Sequence, residues 1–132
     1  MQEDHHLRAL HRHVRTIEAF AAWLRDRSDD LIDAVDLLGG AHWVTRTADT
    51  VHAIRKGATL ESRLADLKEI RRFLHLEYAG RPGSEEQARF AAVHPDDPRA
   101  DTARLCAEAL DRGIAGIEAI ERAAAVQARE VA

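Results

Sequence analysis

LRALHRHVRTIEAFAAWLRDRSDDLIDAVDLL, Leu7 to Leu38, is the stretch on which the fold turns. Leu7, Leu10, Val14, Ile17, Ala21, Leu24, Ser28, Leu31, Val35 and Leu38 follow one another at alternating steps of three and four residues. Side chains at that spacing return to one face of an α-helix, so the run is a heptad seam along a helix of residues 4–38. Unbroken, such a helix would be roughly 50 Å long, whereas a compact domain of this size has a radius of gyration of ~14 Å. Either the helix breaks, or it overhangs the globule and packs against a second chain. Ser28, Asp29 and Asp30 have the make-up of an N-cap with an acidic first turn, directly after Arg25 and Arg27. We expect the break there, although the phase of the seam passes through it unchanged.

Working outward, glycine, proline and capping residues mark the other boundaries. Leu37 to Gly40, LLGG, ends the first helical region, because glycine enters the left-handed conformation that closes a helix without steric cost. Arg55 and Lys56 suit the negative end of a second helix, Gly57 can terminate it, and Thr59 can cap the next with Glu61 in its first turn. The third helix is expected to stop at Gly80, and the chain to turn through Pro82 and Gly83 and restart at Ser84, which forms a capping box with Gln87. Asp97 and Pro98 read as N-cap and first position of the last helix. These signals predict helices near 4–38, 41–56, 60–79, 85–93 and 98–129. No segment alternates with the two-residue period of a strand, so the expected fold is all-α: one domain over residues 1–132, a single bundle of four to five helices.

Composition agrees with that class. Hydrophobic residues make up 45% of the 132 and charged residues 32%, which suits a folded protein; aromatics are only 5%, leaving Leu, Ile, Val and Ala to build the interior. The net charge of −4, with acids and arginines interspersed, offers no global attraction for nucleic acid. No apolar run approaches a membrane span and no apolar signal core follows Met1, so the expected location is the cytosol. The single cysteine, Cys106, excludes an intramolecular disulfide; it lies on an apolar stripe with Leu110, Ile117 and Ile120 and reads as a core residue. Gly113 and Gly116 inside the last helix each cost about 1 kcal/mol relative to Ala, a cost that close approach of a neighbouring helix would offset. Trp23 and Trp43 read as packing anchors.

Four of the eight histidines, His5, His6, His11 and His13, fall within nine residues. A helix offers two histidines to one metal at spacings of three or four, and none of these pairs has either. His6 and His13 flank the seam roughly 10 Å apart along the axis. Glu3 with His6 and Asp49 with His52 match the acid-x-x-His pattern of carboxylate-bridged di-iron bundles. EDHHLRAL, Glu3 to Leu10, resembles the start of hemerythrin-like domains, which implies a metal-binding helical bundle; the later helices lack the His-x-x-x-Glu and His-x-x-x-His pairs of that family.

Arg8 with His13, Arg46 with His52 and Arg89 with His94 have the spacing of the HEPN superfamily, all-helical ribonuclease and antitoxin-associated domains marked by Arg, four to six residues, then His. About three such pairs arise by accident in a chain of this composition. RRFLHLEY, Arg71 to Tyr78, resembles the Arg…His-x-Tyr form of that motif, with three residues between Arg71 and His75. HRHVR, His11 to Arg15, is similar to the histidine-bearing motif of some phosphotransfer helices, although no ATP-binding glycine motif follows it. No residue is assigned a catalytic, cofactor-binding or metal-binding role, and no cofactor is expected. The expected function is a protein–protein interaction or regulatory module, with self-association through the N-terminal seam or a different protein as partner; the alternative is a HEPN-like domain or a metal-binding bundle.

Overall fold

The computed structural model describes residues 2–76 and 82–131, with side chains described for residues 7–76 and 82–130. Among the described residues the protein is all-helical, with no strand. Its helices are α1 (Gln2–Asp26), α2 (Ser28–Gly39), α3 (Ala41–Arg55), α4 (Leu64–Leu74), α5 (Glu85–Ala92) and α6 (Pro98–Val131), with a 3-10 turn, Glu61–Arg63, leading into α4. Among the described residues there are six helices, the first expected region being divided at Arg27. None of these helices is long and apolar enough to cross a membrane.

The long α6 is the spine. It packs against α1, α2 and α4, while α3 and α5 lie against α2. The chain of α1 and α2 runs along α6 in the opposite direction: Ile17 touches Gly116, Phe20 covers Gly113, and Leu38 shares a cleft with Ala103. Leu24, Leu31, Val35, Leu67, Leu110, Ile114 and Ile117 are almost wholly excluded from solvent and form one apolar cluster across α1, α2, α4 and α6. Each such side chain contributes about 1.5–3 kcal/mol by leaving water.

The seam divides along its length. Leu24, Ser28, Leu31, Val35 and Leu38 are buried; Leu10, Ile17 and Ala21 are half-buried; Leu7 and Val14 are exposed. At the break, Ser28 is not the N-cap. It is the first residue of α2, and its hydroxyl, 1% exposed, accepts a hydrogen bond from Arg55 at the end of α3. The same guanidinium donates to the Arg25 carbonyl at 2.9 Å. The interrupted ladder frees that oxygen at the negative end of α1, and a cation from α3 satisfies it.

Helix ends follow the expected punctuation at most places. Gly40 (φ 74°) and Gly57 (φ 107°) close α2 and α3. Gly39 serves a different purpose, since a Cβ there would collide with Phe73 and Trp43. Thr59 Oγ1 accepts from the Ser62 amide at 3.2 Å, and Ser84 Oγ from the Gln87 amide at 3.0 Å; the Gln87 side chain accepts from the Gly83 amide, one residue earlier than a capping box requires. Asp97 Oδ1 accepts from the Arg99 amide at 2.9 Å and starts α6. The third expected helix ends early, at Leu74 instead of residue 79. Leu76 takes the left-handed conformation (φ 65°) usually left to glycine, with its amide bonded to the Phe73 carbonyl. Its side chain, 36% exposed, lines a cleft with Leu38, Leu74, Phe90 and Val93. Gly80, the expected terminator, lies outside the described residues, as does Tyr78.

Candidate functional site

His11 is exposed and His13 half-buried on α1, while the side chains of Glu3, His5 and His6 lie outside the described residues. Asp49 and His52 are both exposed on α3. Among the described residues no three His, Cys, Asp or Glu side chains are grouped so as to hold a metal ion.

In two of the arginine–histidine pairs the arginine is engaged elsewhere. Arg46 stacks over the Trp43 ring at 4.8 Å, away from the exposed His52. Arg89 reaches the Asp36 carbonyl at 3.4 Å and Glu85 at 3.5 Å, whereas His94 accepts from the Asp96 amide through Nδ1. Within RRFLHLEY, Arg72 is paired with Glu69 at 3.2 Å, and His75 donates through Nε2 to the Asp111 carboxylate, 2.9 and 3.0 Å from its two oxygens. This His–Asp pair ties the end of α4 to α6. It borders an apolar cleft of about 440 Å³ between Leu38, Leu76, Phe90 and Ala103, whose described lining contains no Ser, Thr or Cys to serve as a nucleophile.

Cys106 is 2% exposed, and burial, helped by the negative charge of Asp30, pushes its thiol up to about 11. A thiol so held is protonated at neutral pH and acts as a small apolar residue. Trp43 is an anchor as expected: it stacks on Phe73 with centroids 4.1 Å apart and donates its indole N–H to Glu86 at 3.2 Å. Trp23 stacks on Phe20.

The feature left without an internal explanation is the far end of the α1–α6 pair. No residue of 7–19 or of 118–130 is buried. In that two-helix extension Leu7 and Leu10 of α1 and Ile120, Ala123, Ala124 and Val126 of α6 line an open apolar groove of about 530 Å³. Leu7 is 52% exposed, Val14 43% and Val126 47%. The outer side of α1 here is basic, with Arg8, Arg12 and Arg15 exposed around His11. The heptad seam points to the α1 half of this site. The α6 half is missing from that reading: Ile117, Ile120 and Ala124 stand at helical spacing and give a signal, but nothing local marks Val126 as exposed.

Compared with protein-family models, curated proteins and solved structures, the chain has no match.

Proposed function

We propose that the protein is an interaction module of the cytosol, a helical bundle that associates with a second copy of itself through the outer part of the α1 seam. One observation carries the reading: the seam runs on for two heptads beyond the core, and there Leu7 and Val14 stand exposed on a two-helix extension with no buried residue among those described. Scattered exposed apolar residues are ordinary, but a row continuing the periodicity of a buried face is a surface shaped for another helix. Partial exposure forgoes much of the 1.5–3 kcal/mol that burying a side chain such as Leu or Val supplies, on the order of magnitude of apolar transfer energies, and a second chain would recover it.

Sedimentation equilibrium is the test. The wild type should be dimeric at micromolar concentration. Leu7→Asp with Val14→Asp should convert it to a monomer of unchanged helical content, because both positions are already in contact with solvent. A wild type that stays monomeric, or a double variant that stays dimeric, overturns the proposal.

A further inference from the structure

Arg8, Arg15, Ala22, Asp29 and Asp36 recur every seven residues through α1 and α2, and so share one heptad position bordering Leu7 and Val14. The two before Ala22 are basic and the two after it acidic. Arg12 and Asp33, on a neighbouring position, divide the same way. Only Arg27 separates the two helices, both run along α6, and all six charged residues are exposed. A basic stripe on α1 is thus continued by an acidic stripe on α2.

Among the described residues these six side chains are not taken up in ion pairs. Elsewhere arginines find an acid three residues away, as in Arg27–Asp30 and Arg63–Asp66, both 3.6 Å, and Arg104–Asp101, 3.5 Å. Arg8, Arg12, Arg15, Asp29, Asp33 and Asp36 form no side-chain ion pair among the described residues. Asp36 and Asp33 act on Arg99 through their charge without a direct contact; its direct partner is Asp97 at 2.9 Å.

A rod that is basic in one half and acidic in the other, along one line, complements itself when turned end for end. We infer that a second copy docks antiparallel across a two-fold axis near Ala22, the α1 stripe of each protomer lying on the α2 stripe of its partner. Arg8 and Asp36 are each fourteen residues from Ala22, and Arg15 and Asp29 each seven, so a single register satisfies both pairs. The acids nearest the axis, Glu18 and Asp26, have Arg25 beside them. The arrangement is isologous and closes at two copies. It rests on the self-association reading and adds orientation and register to it, since Leu7 and Val14 border the same stripe.

Charge reversal with complementation tests it. One variant carries Arg8→Glu, Arg12→Glu and Arg15→Glu; the other carries Asp29→Lys, Asp33→Lys and Asp36→Lys. Each alone sets like charges face to face in both halves of the dimer, and self-association should weaken on the order of a hundredfold or more. Mixed, they face each other with opposite charges in both halves, and a heterodimer should form, identified by mass; its recovery also shows that both variants are folded. Wild-type association should weaken between about 0.05 M and about 0.5 M salt. Variants that each dimerise like the wild type, or that both dissociate without recovery on mixing, overturn the antiparallel pairing and leave self-association standing. A monomeric wild type removes both, and a basic stripe that instead captures a polyanion while the chain stays monomeric assigns the surface to a different occupant and overturns the inference.

Discussion

Gly113 and Gly116 sit one turn apart in α6, and both allow α1 to approach closely, yet they differ in how much room remains. A Cβ on Gly113 would penetrate the Phe20 ring, whereas one on Gly116 would meet Thr16 and Ile17 at 3.4 and 3.5 Å, ordinary contact distances. Alanine gains up to about 1 kcal/mol over glycine in a helix interior, while forcing extra volume into a packed site costs about 1–3 kcal/mol. Gly113→Ala is therefore expected to destabilise by about 1–2 kcal/mol, the overpacking cost exceeding the propensity gain. Gly116→Ala should be neutral or stabilise by up to ~1 kcal/mol. Chemical denaturation midpoints of the two variants would check the opposite signs. The sequence shows that both glycines need a reason; which of them has no space to spare depends on where a ring from α1 lands, and that is set by tertiary packing.

At the scale of elements, the helix boundaries written in backbone chemistry are legible: Gly40, Gly57, Ser84 and Asp97 act where their conformational or capping preferences place them. The end of α4 is not, because Leu76 adopts a glycine-like conformation that no local pattern announces. The α1–α2 junction is legible in position and not in mechanism. Ser28 and its acidic neighbours mark the break, but the group that holds it is Arg55, 27 residues further on and bonded to both sides. Removing that side chain leaves a freed helix carbonyl and a buried hydroxyl without their donor. Arg55→Met, which keeps much of the aliphatic stem, should cost about 1–2 kcal/mol, the range for losing hydrogen bonds to a partly exposed charged group. Amide hydrogen exchange around residues 25–31 should accelerate in the variant more than exchange in α4; uniform acceleration would show that Arg55 does not act at the junction. The candidate site divides the same way. Its α1 half is a continuation of periodicity, while its α6 half exists only because two distant helices end side by side.

For the whole molecule, the buried thiol of Cys106 connects the core to pH. Its ordinary value of 9.0 rises to about 11 in the folded protein. A group whose folded value is raised stabilises the native state fully below its unfolded value, and that contribution is lost as pH climbs through the folded one. Stability should accordingly decline between pH 9 and about 11 in the wild type, and less in Cys106→Ala once each is referred to its own value at pH 8. Native Cys106 should also resist alkylation at that pH until denaturant opens the core. Thermal melts across the alkaline range and a labelling time course would check both. The dependence of the core on α6 reaches further than equilibrium stability. As the chain leaves the ribosome, α1 and α2 emerge with Leu24, Leu31 and Val35 bare, and the helix that covers them is synthesised only after α3, α4 and α5. Joining α1 to α6 closes a loop of roughly 90 residues, the kind of distant contact that makes folding slow. Throughout that interval the nascent chain displays an apolar helix surface, the kind of transient exposure that favours aggregation until α6 is made.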